Sequence, residues 1–270
     1  MKAKAFLEFW KWRWIYLLAL PLAGCCLAQS MVYPVPDVEV PMVPPKPLEA
    51  LRLPGGCMAW VMDGVNTKAP IVIWCHGNAE NLELMYQGGT FGELQKRGFH
   101  AIGVDYPGYG LSAGRPSESG AVNAVMEALQ EAKRRWPGSP RVLVGWSLGA
   151  AVACQASRLE APDRLVLISP FSSLESVGKR HFNSLFVSCL MLCTADQYDS
   201  MSAVTGLSMP VLVVHGQRDA VIPIDEGRLL AARIPQARVL WIPEAEHNDI
   251  LGYPEVWETL TAFAGDVTHP

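Results

Sequence analysis

The chain has 270 residues, half of them apolar, a formal net charge of −4 and seven cysteines. That length and apolar share can bury one large core, and α/β folds of roughly this size form a single domain. The weakly acidic balance leaves no basic footprint for nucleic acid, no repeat period is visible, and no His/Cys set has zinc spacing, so those three classes are set aside.

Residues 1–28 differ in composition from the rest of the chain. Lys2, Lys4, Lys11 and Arg13 precede the apolar run Trp14–Leu22, which closes in Leu22-Ala23-Gly24-Cys25. A basic start, an apolar stretch of about ten residues and small residues at its end predict an export signal over 1–24, because the stretch is too short to span a bilayer. The ending resembles the lipobox of bacterial lipoproteins, which implies acylation of Cys25 and attachment to a membrane of the cell envelope. The alternative is an uncleaved membrane anchor. Pro34, Pro36, Pro41, Pro44, Pro45 and Pro47 then crowd residues 25–47. Their density predicts an extended, unstructured tether at ~3.1 Å per residue, since proline supplies no N–H to a helix or a central strand.

From Leu48 to the C-terminus strand and helix signals alternate. Leu48–Leu53 and Cys57–Val61, separated by Pro54-Gly55-Gly56, predict an antiparallel hairpin, and Ile71–Cys75 is a continuous apolar run of buried-strand type. A helix is predicted over Leu82–Arg97, ending at Gly98, then strand His100–Val104 and a helix opened by Ser117 that runs to Trp136. Strand Arg141–Val144, helix Ala150–Leu159 and strand Leu165–Ser169 come next. Residues 172–209 form an irregular insert. Strand Val211–Val214, helix Ile224–Ile234, strand Arg238–Ile242 and helix Tyr253–Ala264 complete the series. This alternation predicts a mostly parallel sheet with helices on both faces and chemistry at the carboxyl ends of the strands.

Gly145-Trp146-Ser147-Leu148-Gly149 joins one such strand to a helix. A serine hydroxyl on a tight strand-to-helix turn is exposed to a base, and the two glycines let neighbouring backbone approach the turn. The Leu148 N–H, at a helix N-terminus, can stabilise negative charge on a reacting oxygen. Gly110-Leu111-Ser112-Ala113-Gly114 has the same pattern, but no strand enters it and no helix leaves it, so Ser147 is the candidate nucleophile and Ser112 a loop serine. In His76-Gly77-Asn78-Ala79-Glu80, after a buried strand, Asn78 or Ala79 is placed to supply a second oxyanion N–H, with His76 fixing the loop. Asp105 is expected to bond loop amides. Asp219, after strand Val211–Val214, can orient an imidazole; its competitor Asp225 lies in the first turn of a helix, where a carboxylate satisfies the dipole. His247 follows the last strand. The order Ser147, Asp219, His247 matches the Ser…Asp…His order of one triad architecture.

With His76 to Ala79, Asp105, Gly108, Gly110, Ser112, Gly145 to Gly149, Ser169-Pro170-Phe171, His215-Gly216, Asp219 and His247, the chain resembles the α/β-hydrolase superfamily, and within it the Bem46-like serine hydrolases, whose relatives include depalmitoylating thioesterases. The resemblance implies an α/β-hydrolase fold and a metal-free, cofactor-free hydrolase of esters, thioesters or related acyl compounds, acting on a small-molecule or lipid-like substrate. Peptidase or other C–X hydrolysis on the same triad and a non-catalytic membrane-tethered binding module are the alternatives. Insert 172–209 lies where such hydrolases carry a cap. Its Phe182, Leu185, Phe186, Val187, Leu190, Met191 and Leu192 either pack a helix on the core or line an acyl pocket. Cys75 and Cys154 read as small core residues, and Cys189 and Cys193 are close enough for a bridge.

Overall fold

The computed structural model describes residues 29–266. The expected signal over 1–24 and the Cys25 attachment point lie outside the described residues.

Eight strands form one sheet in the order β1-β2-β4-β3-β5-β6-β7-β8: β1 Glu49–Arg52, β2 Met58–Met62, β3 Ile71–Cys75, β4 His100–Val104, β5 Arg141–Trp146, β6 Arg164–Ile168, β7 Val211–Gly216 and β8 Arg238–Ile242. β1/β2 and β2/β4 pair antiparallel, and every later pair is parallel. The central strands are buried along their whole length, which is why they read as unbroken apolar runs rather than as alternating ones. Alternation still decides which side each residue serves. Ile71, Ile73 and Cys75 face one core layer, Val72 and Trp74 the other.

The first layer is closed by α3 Glu118–Arg135, α4 Leu148–Leu159, α7 Ser200–Ala203 and α8 Ile224–Arg233; the second by α1 Leu82–Gln87, α2 Thr90–Lys96 and α9 Pro254–Gly265. Helix α4 presents Ala150, Ala151, Ala153 and Ala156, all fully buried, so its axis lies close to the sheet. The single helix expected over 82–97 is two, because Gly88 ends α1 and Gly89, at φ 85°, turns the chain before α2.

The insert after β6 contains α5 Leu174–His181 and α6 Ser184–Met191, with α7 at its end. Of its apolar cluster only Val187 is buried, while Leu185 is 74% and Leu192 88% exposed. A helix packed on the core is therefore the wrong description: α6 leans on α5 through Val187 beside Gly178 and the Ser188 hydroxyl on Glu175, and none of its side chains joins either core layer. Cys189 and Cys193 are free thiols.

The largest departure is the proline-rich segment. Expected as an unstructured tether over 25–47, its described part instead lies on the domain, with Val32, Tyr33 and Val40 buried. Proline forbids regular ladders but not side-chain burial or bonds made by backbone carbonyls. The Val32 carbonyl accepts from Asn78 Nδ2 at 2.7 Å, the Val38 carbonyl accepts from Asn81 Nδ2 at 3.1 Å, and the Tyr33 hydroxyl donates to Asp196 Oδ2 at 2.8 Å.

Candidate active site

β5 ends at Trp146 and α4 begins at Leu148, leaving Ser147 alone in the turn at φ 55°, ψ −118°. A residue with a Cβ is held in that left-handed region only by its surroundings. The surroundings are backbone: a Cβ on Gly145 would stand 2.2 Å from the Gly149 carbonyl oxygen, and one on Gly149 2.0 Å from that of Cys75. A serine before a helix ordinarily accepts a hydrogen bond from a first-turn amide. Ser147 makes no such cap. Its Oγ instead lies 3.0 Å from His247 Nε2.

His247 sits in the loop after β8, and its Nδ1–H donates to Asp219 Oδ2 at 2.7 Å. The other carboxylate oxygen accepts the N–H groups of Val221 at 2.9 Å and Ile222 at 2.7 Å, so the turn after β7 fixes the acid's orientation. His215 Nε2 lies 2.8 Å from the Ile222 carbonyl and 3.4 Å from Asp219 Oδ2. Burial acts to raise the Asp219 pKa, but the bonds from His215 and His247, the His247 charge and the Ile222 amide outweigh it and hold the carboxyl well below the usual range. Of the two histidines, His247 makes the closer contact. An ionised Asp219 keeps the proton on Nδ1 and leaves the Nε2 lone pair facing Ser147. The indole of Trp146 stacks against the His247 ring at 5.8 Å between centroids, a contact that sequence reasoning passed over although Trp146 lies inside the motif.

Leu148 is the first residue of α4, so its N–H has no carbonyl one turn earlier within the helix. On the facing loop Ala79, at φ 56°, already donates its N–H to Asn78 Oδ1 at 3.3 Å. Glu80 braces this loop by accepting the Gly77 N–H at 3.0 Å, and burial raises its pKa. His76 is enclosed: its Nδ1 is 2.8 Å from the Gly77 carbonyl, its Nε2 3.4 Å from Asp105 Oδ1, and Tyr106 lies against the ring. Asp105 Oδ1 also accepts the Leu82 N–H. Ser112 accepts the Met58 N–H and donates to the Asp105 carbonyl, both at 2.8 Å, a buried loop serine as expected. Asp225 is exposed beside Arg228 and takes no part. Thus Ser147, His247 and Asp219 come together, and Ser112 and Asp225 stay apart from them.

Residues 66–193, spanning the Asn78 loop and the Ser147 turn, match the family described as serine aminopeptidase, S33. The chain is 32% identical over 237 residues to an uncharacterized protein of Mycobacterium tuberculosis, covering 86% of this chain and 80% of that one. It is 28% identical over 242 residues to a lysophosphatidylserine lipase of Xenopus tropicalis, covering 78% of this chain and 62% of the lipase. Among solved structures, an esterase of Pyrococcus furiosus superposes with a TM-score of 0.68 at 20% identity, covering 85% of this chain and 95% of the esterase. Sheet order, elbow geometry and these relationships together lead to one conclusion: the chain belongs to the α/β-hydrolase superfamily and is a serine hydrolase of the esterase type.

Proposed function

We propose that the protein hydrolyses carboxylic esters or thioesters with a hydrophobic acyl group through an acyl-enzyme on Ser147. The observation that carries this reading is the continuous relay from Ser147 Oγ to His247 to an Asp219 carboxylate. His247 Nε2 takes the Ser147 proton as Oγ bonds to the acyl carbon. The resulting oxyanion is held by the N–H groups of Leu148 and Asn78. Collapse breaks the bond to the alcohol or thiol, which leaves with the proton from His247, and a water then repeats the sequence to release the acid. The matching family is described as a serine aminopeptidase, so peptide-bond hydrolysis on the same triad is the second reading, and similarity to a lysophosphatidylserine lipase favours the ester.

A hydrophobic acyl group is supported by the apolar side chains that the cap leaves exposed, Phe182, Leu185 and Phe186 among them. It is also supported by similarity to a lysophosphatidylserine lipase. Membrane attachment through an acylated Cys25 rests on the sequence of residues 1–28. It would hold the enzyme where such substrates concentrate.

A fluorophosphonate probe tests the catalytic reading whatever the substrate is. Wild type labels at Ser147, Ser147→Ala does not, and Ser112→Ala still does; label on Ser112, or none on folded wild type, would refute it. Rates that fail to rise with acyl length beyond acetate would remove the hydrophobic pocket. Mass spectrometry of protein made in a bacterium should find a lipid-bearing Cys25 as the first residue, and an intact Met1 would overturn that part.

A further inference from the structure

The geometry points to the segment Gln29–Val40 as a working part of the oxyanion site: the Val32 carbonyl, anchored by Tyr33, positions Asn78 so that its backbone N–H faces the reacting oxygen. This rests on the assignment of Ser147 and Asn78 made above.

The Asn78 side chain is committed at both ends. Its Nδ2 donates to the Val32 carbonyl at 2.7 Å, and its Oδ1 accepts from the Tyr109 hydroxyl at 2.9 Å and from the Ala79 N–H. With χ angles so pinned, the peptide between Gly77 and Asn78 has little freedom to rotate. Ala79, in the left-handed region without being glycine, depends on that restraint, since an unsupported loop relaxes out of such a conformation. Three residues on, the strap repeats the contact: Asn81 donates Nδ2 to the Val38 carbonyl and uses Oδ1 to cap α1 through the Leu84 N–H at 2.9 Å. Both asparagines that bracket the oxyanion loop are therefore held by carbonyls of the strap.

The strap is itself held from the opposite side. Tyr33 is buried, donates to Asp196 Oδ2 and accepts from the Tyr198 hydroxyl at 2.9 Å. Asp196 uses its other oxygen on the Glu118 N–H, and the Glu118 carboxylate accepts the N–H groups of Gln197 and Tyr198. The Tyr33 N–H closes the first turn on the Gln29 carbonyl. Val40 lies over Gly110, where a Cβ would stand 3.0 Å from its methyl. One short segment thus bolts the last part of the cap to the loop that supplies the oxyanion donor.

The test uses the full-length chain, a p-nitrophenyl acyl ester and an alkyl boronic acid, which forms a tetrahedral adduct on an activated serine. Asn78→Ala keeps the backbone N–H but frees it, and kcat should fall about 10²-fold, the scale of a lost oxyanion donor. Tyr33→Phe keeps the ring and removes the two hydroxyl bonds; kcat should fall about tenfold, as expected for partial misplacement. KM stays within about threefold in both, because the effect falls on the transition state, while boronate affinity drops in step with kcat. A strap that is only structural would lower the melting temperature of Tyr33→Phe and leave kcat and boronate affinity within about twofold of wild type, which would overturn the inference while fluorophosphonate labelling of Ser147 persisted. Wild type that resists both probes would overturn it together with the assignment of Ser147.

Discussion

Replacing Asp219 by Asn keeps the side chain's shape while removing its charge and one acceptor. The Val221 and Ile222 amides are 2.9 and 2.7 Å from Oδ1 and require an oxygen there. The carboxamide therefore turns its NH2 toward His247 Nδ1, which must then accept rather than donate. The imidazole proton moves to Nε2 and points at Ser147 Oγ, so the base is lost although every heavy atom stays in place. Loss of the tautomer in triads of this kind lowers kcat about 10⁴-fold, or about 5 kcal/mol of barrier at 1.36 kcal/mol per decade. The loss should stay below the roughly 10⁶-fold expected for Ser147→Ala or His247→Ala. Hydrolysis of a p-nitrophenyl ester under saturating conditions measures it, and an Asp219→Asn enzyme within about tenfold of wild type would refute the role given to the acid. Stability supplies a second readout. A carboxyl whose folded pKa is depressed stabilises the native state fully above its unfolded value of about 3.9 and loses that contribution as pH falls through the folded value. The urea midpoint gap between wild type and variant should therefore be present at about pH 6 and shrink below about pH 4; a gap that widens on acidification would contradict the depressed pKa.

Ser112→Ala leaves the Met58 N–H without its acceptor, so the protein should lose about 1–3 kcal/mol in urea unfolding while kcat changes little; an inactive but stable variant would mean the loop serine has another task. Glu226 is buried and accepts the Ser172 N–H at 2.9 Å and the Ser176 hydroxyl at 2.6 Å, tying the start of the cap to α8. Glu226→Ala should destabilise by about 1–3 kcal/mol and expose the α5 amides to faster hydrogen exchange, with unchanged exchange counting against this anchor. Burial opposes its ionisation, but the two serines outweigh that and lower its pKa, so the anchor weakens as pH falls through the carboxylate range.

The parallel core was legible because the buried strands are short and mostly apolar, and β3 begins and ends where its apolar run does. Ser147, Asp219 and His247 could be chosen because each follows a strand, and a parallel sheet brings strand ends together. Other features depend on contacts that no local pattern records. Proline density argues correctly against helix and sheet in residues 34–47, yet Tyr33 and Val40 are buried through partners such as Asp196 and Gly110, far away in sequence. The cap misled for the opposite reason. Near-helical spacing of Phe182, Leu185 and Phe186 predicts a helix and its apolar content, but not that these three side chains stay exposed. Trp146 was hidden by its motif, in which only the glycines and the serine carry a requirement visible in one sequence.

The three reacting side chains hang from β5, β7 and β8, whereas the cap is inserted between β6 and β7 and contributes none of them. The cap and the relay thus occupy separable stretches of chain. A graft that replaced residues 174–193 with the corresponding piece of another hydrolase would exchange the exposed apolar side chains of the cap without touching the relay. Thr194 to Ser200 would have to be retained, because Asp196 and Tyr198 receive the N-terminal strap. Those twenty residues can therefore be exchanged as a unit apart from the relay, provided that the bonded stretch 194–200 is kept.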